Sequence, residues 1–177
     1  ILEKGSTIGG AASVDLGDAA NTLVANDGAT IGGTLTVKGK DGTDDVTPGP
    51  GVALGAAALK LGGGDNEALL AVGVNVTGAI LMKTKSGVDQ YTQTTNAVVG
   101  GNVTLALGDG ANSATFNPLA VVQGSVAVKT GGGNDLVTLF LAAIDGDLAL
   151  ASGNGANTIT CTSTTVGGKL TIKAGAD

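Results

Sequence analysis

Residues 99–116 read VGGNVTLALGDGANSATF, and this stretch decides the fold. Val99, Val103, Leu105 and Leu107 are apolar at alternate positions, with the glycine pair Gly100 and Gly101 between the first and the second. A period of two is the signature of a strand with one buried face. Gly108, Gly110 and Asn112 follow. Glycine supplies the positive φ of a tight corner, and an Asx side chain bonds neighbouring backbone groups. A second alternating pair, Ala114 and Phe116, closes the unit. The unit is therefore strand, corner, strand, with no helical period.

The same unit recurs along the chain at a nearly constant interval. Its central glycines are Gly10, Gly33, Gly55, Gly78, Gly101, Gly124, Gly146 and Gly168. Two positions later stand Ala12, Leu35, Ala57, Ile80, Val103, Val126, Leu148 and Leu170, and two positions earlier Ile8, Ile31, Ala53, Val76, Val99, Val122, Ile144 and Val166. Eleven positions after the first seven of these glycines come Asn21, Asp44, Asn66, Asp89, Asn112, Asp135 and Asn157, so Asn and Asp alternate throughout. The second strand carries Val46, Tyr91, Val137 and Ile159, then Leu70, Phe116, Leu139 and Cys161. The rest of each repeat holds a third strand or a loop.

Identical strands every ~22 residues without helices predict stacked coils in which each repeat leans on its neighbours. The expected fold is all-β, a right-handed parallel β-helix (β-solenoid) of seven to eight turns of roughly 22–23 residues each. Right-handed coiling is the usual sense of parallel crossovers. Residues 1–177 form a single solenoid domain, about 35–40 Å long at ~4.8 Å per turn. KGKDGTDDVTPGPG, residues 38–51, reads as a surface loop within one turn. The repeat runs in phase from about residue 6 to residue 174 with no cap at either end. The chain opens on ILEKGS rather than Met. Both features suggest a segment of a longer solenoid, or a unit that stacks on copies of itself.

Composition excludes several functions. Among 177 residues there are 32 glycines, no His, no Trp and one Tyr, and all nine basic residues are Lys. Imidazole catalysis and guanidinium clamps are absent from the inventory. No carboxylate pair stands out from its column, so no enzyme is expected. The net charge of −6 argues against nucleic acid, whose binding depends on neutralising phosphates. No apolar run is long enough for a transmembrane helix, so no membrane insertion is expected. With 42% apolar and 14% charged residues, the chain is not disordered.

The corners at Gly131, Gly133, Asp135 and Val137, and at Gly64, Asn66 and Ala68, resemble the haemolysin-type (RTX) nonapeptide. That resemblance implies a calcium-binding β-roll. The family's nonapeptide recurs twice per turn with Asp at the key position. Here the corner comes once per turn, with Asn and Asp alternating. VGGNVTLALGDGAN, residues 99–112, is also similar to the repeats of secreted bacterial adhesins and other large surface β-solenoids. That likeness spans the chain and implies an extracellular or cell-surface structural role.

Two readings of the Asx column stand side by side. Carboxylates one rung apart would repel by about 3–4 kcal/mol at an effective dielectric of 20, and Asn between them removes the contact without any ion. Alternatively, Asp44, Asp89 and Asp135, with Asp41 and Asp109 in a flanking column that also holds Asp18, are candidate calcium ligands, since calcium favours several oxygens. Asp41 with Asp44 is the best local cluster.

Other columns face outward. Lys38, Lys60, Lys83, Lys129 and Lys173 form a stripe that either discourages sheet aggregation or attracts an acidic polysaccharide or surface. Ser13, Thr36, Ala58, Thr104, Ala127, Ala149 and Thr171 make a smooth strip, with Leu81 the exception. Flat faces of this kind serve in ice binding or lateral packing. Cys161 falls in an inward column and reads as a buried hydrophobe. The expected function is a structural segment of a bacterial surface protein or fibre: a stalk, an adhesin or a self-assembling filament. Calcium binding, then ice or polysaccharide binding, are the alternatives. Its partners would be adjoining turns or copies of itself.

Overall fold

The computed structural model describes residues 1–175. It is all-β, with parallel strands stacked as a solenoid of about seven turns. Strands of successive turns pair in parallel, as Val103 does with Val126 and Ser113 with Leu136. Two sheets face each other. One has seven strands, among them Gln90–Gln93, Ser113–Phe116 and Leu136–Phe140. The other has fourteen and contains two ladders, one of two-residue strands such as Val98–Val99 and one of longer strands such as Val103–Ala106.

The sequence reading places the central glycine inside one strand, but the chain breaks there. The two ladders meet at the glycine pair because backbones approach closely at that point. A Cβ on Gly33 would lie 2.7 Å from the Ala11 amide nitrogen, and one on Gly101 2.8 Å from that of Ala79. Among the described residues only Thr30–Gly39 and Ala53–Lys60 run through the break, and their pairing shifts between Ile31 and Thr34. This bulge absorbs the small difference in length between one repeat and the next. It turns Leu54 inward, opposite Ile31 and Val76, where the sequence phase predicts Ala53.

A second correction concerns residues 38–51. Asp44–Pro48 within that segment is a strand of the seven-stranded sheet, with Asp44, Val46 and Pro48 buried. The polar and proline-rich composition hides an inward-facing alternation.

The core fills in compensating layers. Ala68, Tyr91 and Ala114 occupy one column in consecutive turns, so the largest side chain sits between two small ones. The Tyr91 and Phe116 rings lie 5.5 Å apart. Gln93 is fully buried in the next column but satisfied. Its amide donates to the Ala97 and Val121 carbonyls at 2.9 and 3.0 Å, and Tyr91 Oη donates to its oxygen at 3.3 Å.

Both bends of each coil need left-handed backbone. Nine positions after the central glycine, Ala19, Gly42, Gly64, Gly87, Gly110, Gly133 and Gly155 all have φ between 93° and 132°. The bend at the other edge runs through Gly28, Gly51, Gly73, Asn96, Leu119, Leu141 and Ser163, with φ between 49° and 71°. The second bend escapes sequence reading because the column loses its glycines after Gly73.

Candidate functional site

The Asx column is the most ordered polar feature of the molecule. Asp44, Asn66, Asp89, Asn112 and Asp135 are all buried. Each backbone N–H donates to Oδ1 of the Asx in the following turn: Asp44 to Asn66 at 3.1 Å, Asn66 to Asp89 at 3.2 Å, Asp89 to Asn112 at 3.0 Å, and Asn112 to Asp135 at 3.0 Å. The Asn amides do more. Asn112 Nδ2 donates to the carbonyls of Gly108 and Gly110 at 2.8 and 3.1 Å and to Asp135 Oδ1 at 3.1 Å. Asn157 Nδ2 likewise reaches Gly153 and Gly155, at 2.7 and 2.9 Å. Buried backbone groups at the bend are thereby paired.

Aspartate fills the same position differently. Oδ1 makes the same bond in both residue types, so Oδ2 of each Asp takes the place of the Asn Nδ2. Asp44, Asp89 and Asp135 Oδ2 are buried without a hydrogen-bond partner. These three corners lack the donor that an Asn amide supplies in the turns between them.

The five candidate calcium ligands do not converge. Asp44, Asp89 and Asp135 lie in one column, separated by Asn66 and Asn112. Asp41 and Asp109 are exposed on the flanking column. Asp109 Oδ1 accepts the Gly132 N–H at 2.8 Å, a structural bond to the next turn. Among the described residues no three Asp, Glu, Cys or His side chains gather as a metal cluster. Of the pair Asp41 and Asp44, the first is exposed and the second buried.

The outward columns fall as the alternation predicts. Lys38, Lys60 and Lys83 are exposed and directly paired rung to rung. Lys83 then pairs with Ala106, Ala106 with Lys129, Lys129 with Ala151 and Ala151 with Lys173. Beside them runs the smooth strip, in which Thr36, Ala58, Leu81, Thr104, Ala127, Ala149 and Thr171 are successive partners. Its threonines are irregularly spaced.

Cys161 occupies the inward column expected of it, opposite Leu139, yet it is exposed. It belongs to the last described turn, and among the described residues no strand lies above it. Partial burial against the turn below pushes its thiol up from the ordinary value. Leu170 and Ile172 are half exposed for the same reason. At the other end, a 260 Å³ cavity lies among Leu2, Ile8, Val14 and Leu23.

Comparison with family models, curated proteins and solved structures finds no match to this chain. The functional reading therefore rests on the residues and their geometry.

Proposed function

We propose that this chain is a structural rod, a stiff segment of an extracellular bacterial surface protein or fibre. The supporting observation is the parallel strand pairing that continues from turn to turn in both sheets through the described residues. Continuous backbone ladders and interlocking apolar columns resist bending, because each turn is held by two neighbours. The paired corners add a buried polar ladder along one edge. Apolar side chains at both end faces favour contact with adjoining turns or with another copy. The role is mechanical rather than catalytic, in keeping with a composition that has no His and no Arg.

Negative-stain microscopy in chelator tests this reading. Rods or end-to-end filaments of uniform width are expected. Compact shapeless particles that become rods only with added calcium would replace it with the second reading, a calcium-dependent β-roll. One observation favours that second reading: the unpartnered oxygens of Asp44, Asp89 and Asp135.

A further inference from the structure

The lysines of this acidic chain are not spread evenly. A groove of 420 Å³ is lined by Lys40, Lys60, Lys83 and Lys85, with Asp18 and Asp41 also on its wall. A second groove, of 440 Å³, runs along the smooth strip and is lined by Lys83, Lys129 and Lys173 with no carboxylate. Lys83 belongs to both. The two grooves thus follow one another along the solenoid axis, on either side of Lys83, and together form a basic trough that carries six of the nine lysines.

Three features make this trough more than a solvated face. First, Lys38, Lys60 and Lys83 stand in direct register, ~4.8 Å apart per rung, and like charges directly opposite are destabilising. Second, Lys60 and Lys83 face no opposite charge in the rungs beside them, Asp15 standing opposite Lys38 alone. The one ion pair among the described residues joins Lys40 to Asp18 at 3.4 Å, although the chain has 15 acidic residues to choose from. Third, the floor between the lysines is small: Gly62 and Thr84 in one groove, Ala127 and Ala149 in the other. A narrow chain can lie flat on it, with an ammonium at each side of its path.

We propose that this trough binds a linear carboxylated polysaccharide, laid along the solenoid axis with its carboxylates against Lys60, Lys83, Lys129 and Lys173. Lys60 and Lys83 are one rung apart, while Lys83, Lys129 and Lys173 are two rungs apart, so at ~4.8 Å per rung the charges recur after about one sugar ring and then about every second ring. Lysine suits the task as a mobile point charge, since the donor set has no planar fork that would demand a phosphate or a fixed carboxylate geometry. A nucleic acid is a poor occupant. Single strands are held by stacking on aromatic side chains, and Tyr91 and Phe116 are buried while Phe140 lies on the opposite sheet.

The test measures binding of alginate, a polyuronate, to the full chain by calorimetry at low salt. The matched variants are Lys60→Gln/Lys83→Gln in the trough and Lys4→Gln/Lys169→Gln outside it. All four positions are exposed, and melting curves check that both variants fold. The trough variant is expected to weaken alginate about tenfold, and the outside variant less than about twofold. Bound alginate is also expected to protect Lys60, Lys83 and Lys129 of the unaltered chain from acetylation, a reading that needs no variant. Equal weakening by both variants would overturn the proposal in favour of diffuse attraction. Absence of alginate binding, equal binding of uncharged dextran, or tighter binding of an oligothymidylate would each overturn it as well.

Discussion

Asp89→Asn should stabilise the protein. Asp89 is fully buried, and its Oδ1 already receives two bonds from Asn66, at 3.2 Å from the backbone and 2.8 Å from the amide. Its Oδ2 receives none. Asn at the same position would keep Oδ1 as an acceptor and offer an amide to the Gly87 carbonyl, as Asn112 does to Gly110 at 3.1 Å. It would also offer a donor to Asn112 Oδ1, as Asn66 does to Asp89. Leaving a buried acceptor unpaired costs about 1–3 kcal/mol. Against that gain stands the weakening of two charge-assisted bonds at Oδ1, which are about twice as strong as neutral ones. The net expectation is a gain of about 1–2 kcal/mol. In a chain of this size each kcal/mol moves the melting temperature by about 2–4 °C. Asp44→Asn and Asp135→Asn should act in the same direction, and because the three sites share Asn66 and Asn112 in one hydrogen-bonded ladder the combined effect should depart from the simple sum. The reverse change, Asn112→Asp, would remove three amide bonds and set three carboxylates one rung apart, repelling by about 3–4 kcal/mol per neighbour at an effective dielectric of 20. Thermal melts in chelator and in calcium read both variants. A lower melting temperature for Asp89→Asn in chelator would refute the missing-donor argument. A drop confined to calcium-containing buffer would show that the orphan oxygen holds a cation.

Three further expectations follow from other columns. Leu119 and Leu141 sit in the left-handed bend at φ of 63° and 51° while 58% and 45% exposed, so Leu119→Gly and Leu141→Gly should each raise stability by about 1 kcal/mol in denaturant titration. Burial drives the Tyr91 phenol far above its usual value of 10.0. The folded state therefore keeps a proton that the unfolded chain releases, and the stability this represents is present below pH about 10 and lost as pH rises beyond it. Tyr91→Phe should lose about 1 kcal/mol at neutral pH, through the unpaired Gln93 oxygen, yet fall less steeply with alkali in melts from about pH 8 to about pH 11. Ala114→Leu would crowd Tyr91 below and Val137 above, and should cost about 1–3 kcal/mol, whereas an outward Ala127→Ser should leave the stability within about 0.5 kcal/mol of the parent.

The contrast between these columns explains how much the sequence makes legible. Strand alternation, the Asx corner and the lysine stripe are visible because each rests on residue type alone: an apolar side chain at every second place, a glycine where φ turns positive, an ammonium that must face water. Leu54, Gln93 and the second bend are hidden for a different reason. Leu54 turns inward because a bulge between Ile31 and Thr34 shifts the pairing, and no side-chain pattern announces where a backbone will absorb a change of length. Gln93 interrupts an apolar column and is stable there only because two carbonyls from two different turns come within reach of its amide. Leu119 and Leu141 hold a glycine's conformation through bonds to the next turn, Leu119 N–H to the Leu141 carbonyl at 3.1 Å and Leu141 N–H to that of Thr162 at 2.9 Å. In a solenoid the neighbour above and below is the larger part of every residue's environment. A local signal survives where all turns agree, as at the Asx corner. It fades where one turn borrows its stability from the next, and those are the positions where a substitution tells most about the stack.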